Sequence, residues 1–293
     1  MSSRLSGDGI LLVDKPAGPT SHDMVSLARR VLGTRKVGHT GTLDPFASGL
    51  LILCVNRATR LAEYLQGHAK AYEATIRLGQ VTTTLDTEGE VVEERPLTAL
   101  SSEEVLAAVG GMVGAHEQRP PVFSAKKVKG ERAYERARRG EIVELSPVPV
   151  QVHEARVLEC ELPFLRVAFR VSTGTYIRAL ARDLGEGLSV GGHLVELRRT
   201  GIGPFSVERA LDPVALEAGA ALGPAWIPAL EALDHLPRLD VDPVLARRLV
   251  SGQSIPVQEN ETGDVAVALD GVLLAVAQRQ GEVLKPRKVF PHG

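Results

Sequence analysis

The sequence predicts an α/β chain in two parts: a large region mixing strands and helices over residues 1–236, and a small β-rich module over 237–293. Three observations lead there. Residues 72–78 (YEATIRL) and 165–171 (LRVAFRV) alternate apolar and polar side chains, the period of half-buried strands. Residues 22–33 and the stretch after Thr175 carry apolar side chains at helical spacing. Beyond Pro237 the texture changes to short apolar runs between glycine-containing turns, with one short helix at LARRLV.

Taken in order, ILLV (10–13) is a short buried strand. The helix over 22–33 has the stripe Met24, Leu27, Ala28 and Val31, with Ser21 as its expected N-cap and Gly33 as its stop. Leu50 to Val55 forms a second buried strand. On 72–78, Tyr72, Ala74, Ile76 and Leu78 share one face. Residues 101–114 read as a helix ending in glycines. On 165–171 the inward face is Leu165, Val167, Phe169 and Val171; Thr173 or Thr175 then caps a helix buried through Ile177, Leu180, Ala181 and Leu184. Residues 191–199 form another strand, and helix signals over roughly 209–236 close the large region.

Bulk composition narrows the chemistry. At 293 residues and 44% hydrophobic, the chain can bury a core without disulfide or metal staples. Its two cysteines, Cys54 and Cys160, lack any CxxC context, which argues against a zinc or redox motif and fits a reducing cytoplasm. The eight histidines are scattered without the spacing of a metal cluster, so no metal site is expected. The N-terminal apolar run is too short for a signal peptide, and no window suits a membrane span. Formal net charge is −2, so any polyanion site has to be a local basic cluster.

One such cluster exists. Residues 118–140 hold eight basic residues (Arg119, Lys126, Lys127, Lys129, Arg132, Arg136, Arg138 and Arg139) against two acids, with Phe123 and Tyr134 among them. A solvated charged face and a phosphate-backbone contact explain that mixture equally well. A second stretch, GHTGTLDPFASGLLIL (38–53), sets a lone acid, Asp44, on a Gly/Thr/Pro loop before a buried strand. Asp-Pro is ordinary turn chemistry. The same placement also suits a nucleophile held at the edge of a rigid sheet.

Five stretches, in order, decide between these alternatives: LLVDKPAGPTSHDMV (11–25), KVGHTGTLDPFASGLL (36–51), KAYEATIRLGQVTTTLDTEGE (70–90), RPPVFSAKKVKGERAYERARRGE (119–141) and STGTYIRALARDLGEGLSVGGHLVELRRTGIGPF (172–205). Together they resemble the TruB family of tRNA pseudouridine synthases, over nearly the whole chain. The resemblance implies the pseudouridine synthase fold, a mixed and largely antiparallel sheet with flanking helices and a cleft across it. The C-terminal module is similar to a PUA domain, a small RNA-binding β-barrel. The implied reaction converts one uridine in the T-loop of tRNA to pseudouridine, without cofactor or metal. The implied partner is the T-arm of tRNA; no membrane and no obligate protein partner are implied, and a monomer is the simplest expectation.

The resemblance also assigns residues. It makes Asp44 the nucleophile and Arg178 its ion-pair partner, a fork expected to grip the carboxylate in two places and hold its pKa low. Tyr72 stacks on the flipped uracil, with its hydroxyl available for the C5 proton. Tyr176 and Leu197 line the uracil pocket, His39 enters the RNA stack where the base leaves, and Lys15 supports the site. The basic run, over about 118–145, becomes an insertion that clasps RNA. Competing possibilities are a guide-RNA-dependent relative, a non-catalytic tRNA-binding or RNA-folding chaperone on the same scaffold, and a glycoside hydrolase. The last needs a second carboxylate, for which Asp86 is the one candidate.

Overall fold

The computed structural model describes residues 7–124, 127–128, 131–132, 136, 139, 141, 145–257 and 262–291. Its main sheet is mixed and largely antiparallel. Strands β1 (Gly9–Lys15), β2 (Val37–His39), β3 (Ser48–Val55) and β4 (Lys70–Leu78) come first, then a small side hairpin of β5 (Gln80–Thr82) and β6 (Val91–Glu94). β7 (Gly114–Gln118) precedes a second two-stranded pair, β8 (Lys127–Val128) and β9 (Glu131–Arg132). β10 (Val148–Glu161), β11 (Phe164–Val171), β12 (Gly192–Ile202), β13 (Phe205–Ser206) and β14 (Trp226–Pro228) complete the large region. Spatial order is β14-β1-β3-β12-β4-β11-β10-β7, with β2 on β3 and β13 on β12.

Only one junction between these strands is parallel. β3 meets β12 at two register pairs, Ser48 with Arg198 and Gly49 with Arg199, and then the two strands part. That short contact divides the sheet into halves, each with its own core. On one side α1 (Ser21–Leu32) lays Met24, Val25, Leu27 and Ala28 over β1 and β3. On the other, α4 (Ile177–Gly187) buries Ile177, Leu180, Ala181 and Leu184 against β4, β11 and β12. Between them in sequence lie α2 (Ala62–Gln66) and α3 (Ser102–Gly111). The expected inward faces, Tyr72-Ala74-Ile76-Leu78 and Leu165-Val167-Phe169-Val171, are all buried.

Several local expectations are corrected. The cap of α1 is Thr20, not Ser21, because Asp23 three residues on completes a reciprocal capping box with Thr20. Neither Thr173 nor Thr175 caps α4; Tyr176 holds that position with no side-chain cap bond, while Thr175 Oγ1 turns back to Ser172 O. Residues 209–236 are not mainly helical: α5 (Pro213–Glu217) is one short helix among 3-10 turns, and Trp226–Pro228 pairs with β1 instead. The long strand β10 and strand β7 were not expected.

The C-terminal strands β15 (Arg238–Asp240), β16 (Ile255–Pro256), β17 (Gly263–Leu269), β18 (Val272–Gln280) and β19 (Val283–Val289) form a half-barrel with α6 (Pro243–Val250). It has its own small core around Leu249, Val267 and Leu284. Its other face joins the first half of the main core through Ala266, Leu273, Val276 and Phe290. Arg60 lies over the Phe290 ring at 5.3 Å and donates to Val289 O, and Lys288 pairs with Glu63. Among the described residues no helix is long and apolar enough to cross a membrane.

Gly49 marks how tightly the junction is built. Its φ is +106°, and a Cβ there would sit 2.3 Å from the Arg199 carbonyl oxygen. Gly49→Ala is therefore expected to destabilise the fold by about 2–4 kcal/mol, through left-handed strain plus backbone overlap. Urea unfolding of the variant beside the parent measures this; an unchanged midpoint would contradict it.

Candidate active site

Where β3 and β12 part, a cavity of roughly 320 Å³ opens. It is lined by the loop 40–44, by Tyr72 on β4, by 173–178 leading into α4, and by Leu197 and Arg199 on β12. Asp44, Tyr72, Arg178, Tyr176 and Leu197 are thus brought together from segments far apart in sequence. Lys15 and His39 adjoin this group without lining the cavity.

The loop carrying Asp44 is irregular backbone, so its polar groups need partners other than a regular ladder. Buried cations provide several of them. Lys15, fully buried at the end of β1, donates its ammonium hydrogens to Pro16 O (2.9 Å), Pro19 O (2.8 Å) and Pro45 O (3.2 Å). Arg199 donates to Leu50 O (2.7 Å), Gly41 O (3.2 Å) and Thr42 O (3.4 Å). Ser21, at the start of α1, accepts from Leu43 N and donates to Leu43 O. Lys15 is therefore a fastening beneath the loop, out of reach of a phosphate. Desolvation lowers its pKa to about 8, although the charge of Asp44 raises it.

Arg178 is buried and shared. Its Nε lies 3.0 Å from Asp44 Oδ2, one Nη donates to Asp86 Oδ2 (3.1 Å) and Thr84 O (3.0 Å), and the other donates to Phe123 O (2.8 Å). The expected two-point grip on Asp44 is thus corrected: the fork is divided between two carboxylates. Asp86 is almost fully buried, and its other oxygen is held by Thr84 Oγ1 and Glu88 N. It faces the guanidinium and not the cavity, which removes the paired-acid arrangement that a glycoside hydrolase requires.

The Asp44 side chain keeps 35% of its surface exposed, toward the cavity. The expectation of a low pKa is also corrected. Burial pushes its pKa above the usual carboxylate value, Arg178 pulls it back, Asp86 pushes it further up and Lys15 draws it down. His39, half-buried on β2, has an Nδ1 with no partner among the described residues. Burial lowers its pKa, with Arg199 and His22 adding to the effect, which favours the neutral ring.

Sequence reasoning missed three contributors. Arg199 was legible in principle: adjacent arginines on a strand face opposite sides, and Arg198 takes the outward one, paired with Asp14. Gln118 accepts from Tyr176 N (2.9 Å) and donates to Tyr176 O (3.2 Å), fixing the entry to α4. Lys70 lines the cavity and donates to Gln66 O, His68 O and Thr173 Oγ1, with its pKa lowered to about 8 by burial.

Of the basic cluster, Lys126, Lys129 and Arg138, like Tyr134, lie outside the described residues, and Lys127 and Arg132 are described as backbone on β8 and β9. Arg119 is exposed, and its carbonyl accepts from Arg182. Arg136 pairs with Glu141, and Arg139 with both Glu131 and Glu141. No group of three or more metal-ligating side chains occurs among the described residues.

Comparison with known proteins places this architecture. Residues 29–177 match the model of the TruB family pseudouridylate synthase N-terminal domain, and 178–222 match that of the tRNA pseudouridylate synthase B C-terminal domain. A tRNA pseudouridine synthase B of Thermobifida fusca (strain YX) is 48% identical over 97% of this chain and 98% of its own. One of Caldanaerobacter subterraneus subsp. tengcongensis is 37% identical over 98% and 100%. The crystal structure of a Cbf5-Nop10-Gar1 complex is similar at a TM-score of 0.73 and 26% identity, covering 97% of this chain and 85% of that one. Fold and sequence thus define the class, a pseudouridine synthase. Within that class, the chain belongs to the TruB family.

The surroundings of Asp44 predict how its carboxyl titrates. Lys15→Met removes a positive charge and is expected to raise the Asp44 pKa; Asp86→Asn removes a negative one and is expected to lower it. Carboxyl-carbon NMR titration of the two variants checks both signs. Shifts in the same direction would refute this account of the electrostatics.

Proposed function

We propose that this protein isomerises a uridine in the T-loop of tRNA to pseudouridine, with Asp44 as the nucleophile. The observation that carries this is the Asp44 carboxylate itself. In a TruB-family chain it stands partly open to a nucleoside-sized cavity, ion-paired to Arg178, on a loop fastened from beneath. The carboxylate engages the nucleotide at C1′ or at C6 of the base, and the bond between N1 and C1′ breaks. The detached uracil turns, C5 bonds to C1′, C5 gives up its hydrogen as a proton, and N1 gains one. Every atom of the nucleotide is retained apart from exchanged hydrogen, so the reaction needs neither an oxidant nor a hydrolytic water.

Each neighbour has a task in this reading. Arg178 offsets the burial of Asp44 and favours its ionised form. Tyr72 and Leu197, both nearly buried on neighbouring strands, bracket the base, and the Tyr72 hydroxyl is available to relay the C5 proton, passing on its own as it accepts that one. Tyr176 closes the cavity wall. His39, with its neutral ring favoured, replaces the flipped base in the RNA stack, offsetting part of a cost of a few kcal/mol. The T-arm lies along Arg119 and the basic run of 118–145. Arg136 and Arg139 must trade glutamate partners for phosphates there.

The test is tritium release from unmodified tRNA labelled at uridine C5, with sequencing to locate the product. The parent protein is expected to release tritium from one T-loop uridine, and Asp44→Asn to release none above background. Release by both proteins would return Asp44 to a turn residue. Binding of tRNA without release by either would leave the chaperone alternative standing and sink the enzymatic one.

A further inference from the structure

Four serine or threonine residues are buried among the described residues: Ser21, Thr40, Thr82 and Ser124. Two of their hydroxyls are used internally. Ser21 Oγ donates to Leu43 O, and Thr82 Oγ1 donates to Asp86 O. The other two, Thr40 Oγ1 and Ser124 Oγ, find no hydrogen-bond partner among the described residues. These two, at 3% and 4% exposure, are the ones that line the Asp44 cavity. A buried polar atom left unpaired costs about 1–3 kcal/mol, so a hydroxyl left unpaired beside a cavity points to a ligand that supplies the bond.

Both hydroxyls also stand on fixed backbone. Thr40 N donates to Ile52 O at 3.1 Å, which ties the residue to β3. Ser124 N donates to Val122 O at 3.0 Å, and the preceding carbonyl, Phe123 O, is held by Arg178. Neither has to be ordered when a ligand arrives, which limits the entropy lost on binding.

We propose that Thr40 and Ser124 recognise the flipped uracil by hydrogen-bonding its exocyclic oxygens. The inference rests on the functional reading above. Uracil suits two such donors because its carbonyls, C2=O and C4=O, flank N3 symmetrically. The turn that exchanges N1 for C5 also exchanges C2 for C4. A hydroxyl aimed at a carbonyl before the turn therefore meets a carbonyl after it, and the contact serves uridine and pseudouridine alike. Ser124 further links base recognition to Arg178, since the adjacent carbonyl accepts from the guanidinium that grips Asp44.

The experiment uses an RNA stem-loop carrying uridine at the target position and the same RNA with an abasic nucleotide there. Dissociation constants are measured in an Asp44→Asn background, which stops turnover, and thermal midpoints are taken alongside. Ser124→Ala and Thr40→Val are each expected to weaken binding of the uridine RNA about tenfold and to leave binding of the abasic RNA unchanged. Their midpoints are expected to hold or rise, because an unpaired buried group has been removed. Thr40→Ser, which keeps the hydroxyl, is expected to bind uridine RNA like the parent. Equal losses on both RNAs, a lowered midpoint, or no loss at all would overturn the assignment. Failure of the unaltered protein to form pseudouridine would overturn the functional reading first, and this one with it.

Discussion

The whole site depends on how one irregular loop is kept still. A segment of Gly, Thr and Pro cannot satisfy its own backbone as a helix or strand does, and here it lies against a buried sheet. Lys15 and Arg199 resolve this by spending their hydrogens on carbonyl oxygens from below. Both are almost fully enclosed, so each cation is desolvated, and each is matched by three acceptors. Removing either would cost three hydrogen bonds around the loop, although Pro45 O would keep the one from Gly18 N. The position of the Asp44 carboxylate follows from this fastening together with the guanidinium of Arg178 on its open side.

That guanidinium sets the electrostatics. It holds Asp44 with one nitrogen and Asp86 with another, so the second carboxylate competes for the same charge. Asp86 thereby does two things at once. It fixes the orientation of Arg178 through contacts made in a nearly sealed space, and it pushes the pKa of Asp44 upward. The result is a carboxylate less acidic than a simple ion pair would make it, held by a partner that is itself fixed on three sides.

Much of this fold could be read from the sequence where side-chain period and burial agree. β4 and β11 alternate cleanly because each is covered on one face by α4, and α1 shows its stripe because it lies on β1 and β3. β10 was illegible for the opposite reason: it starts beside a proline, breaks register twice and exposes residues on both faces. At the site, Asp44, Tyr72, Tyr176, Arg178 and Leu197 were nameable because motifs carry them, and they do share one cavity. Lys15 was expected to support the site, but its means of doing so, three proline carbonyls, was not legible. A lysine in an Asp-Lys-Pro turn reads as exposed, and only the fold encloses it. The upward push on Asp44 comes first from burial, which only the fold creates, and the sharing of Arg178 with Asp86 that adds to it depends on a contact between residues 92 positions apart that no local pattern encodes.

The parallel junction at Gly49 and Arg199 has a mechanical consequence. The loop carrying Asp44 bridges the two halves: Lys15 and Ser21 hold it to the first, while Leu43 and Ala47 pack in the core of the second beside Tyr72 and Leu197. The two halves have separate cores and share just two register pairs there, so the Arg199 side chain acts as a rivet across a seam. A slip along that seam would pull on this loop from both sides and shift Asp44 against Tyr72 and Arg178. Strain at the seam would thus reach the cavity directly, and the fit of one buried arginine bears on the shape of the site as well as on the packing of the sheet.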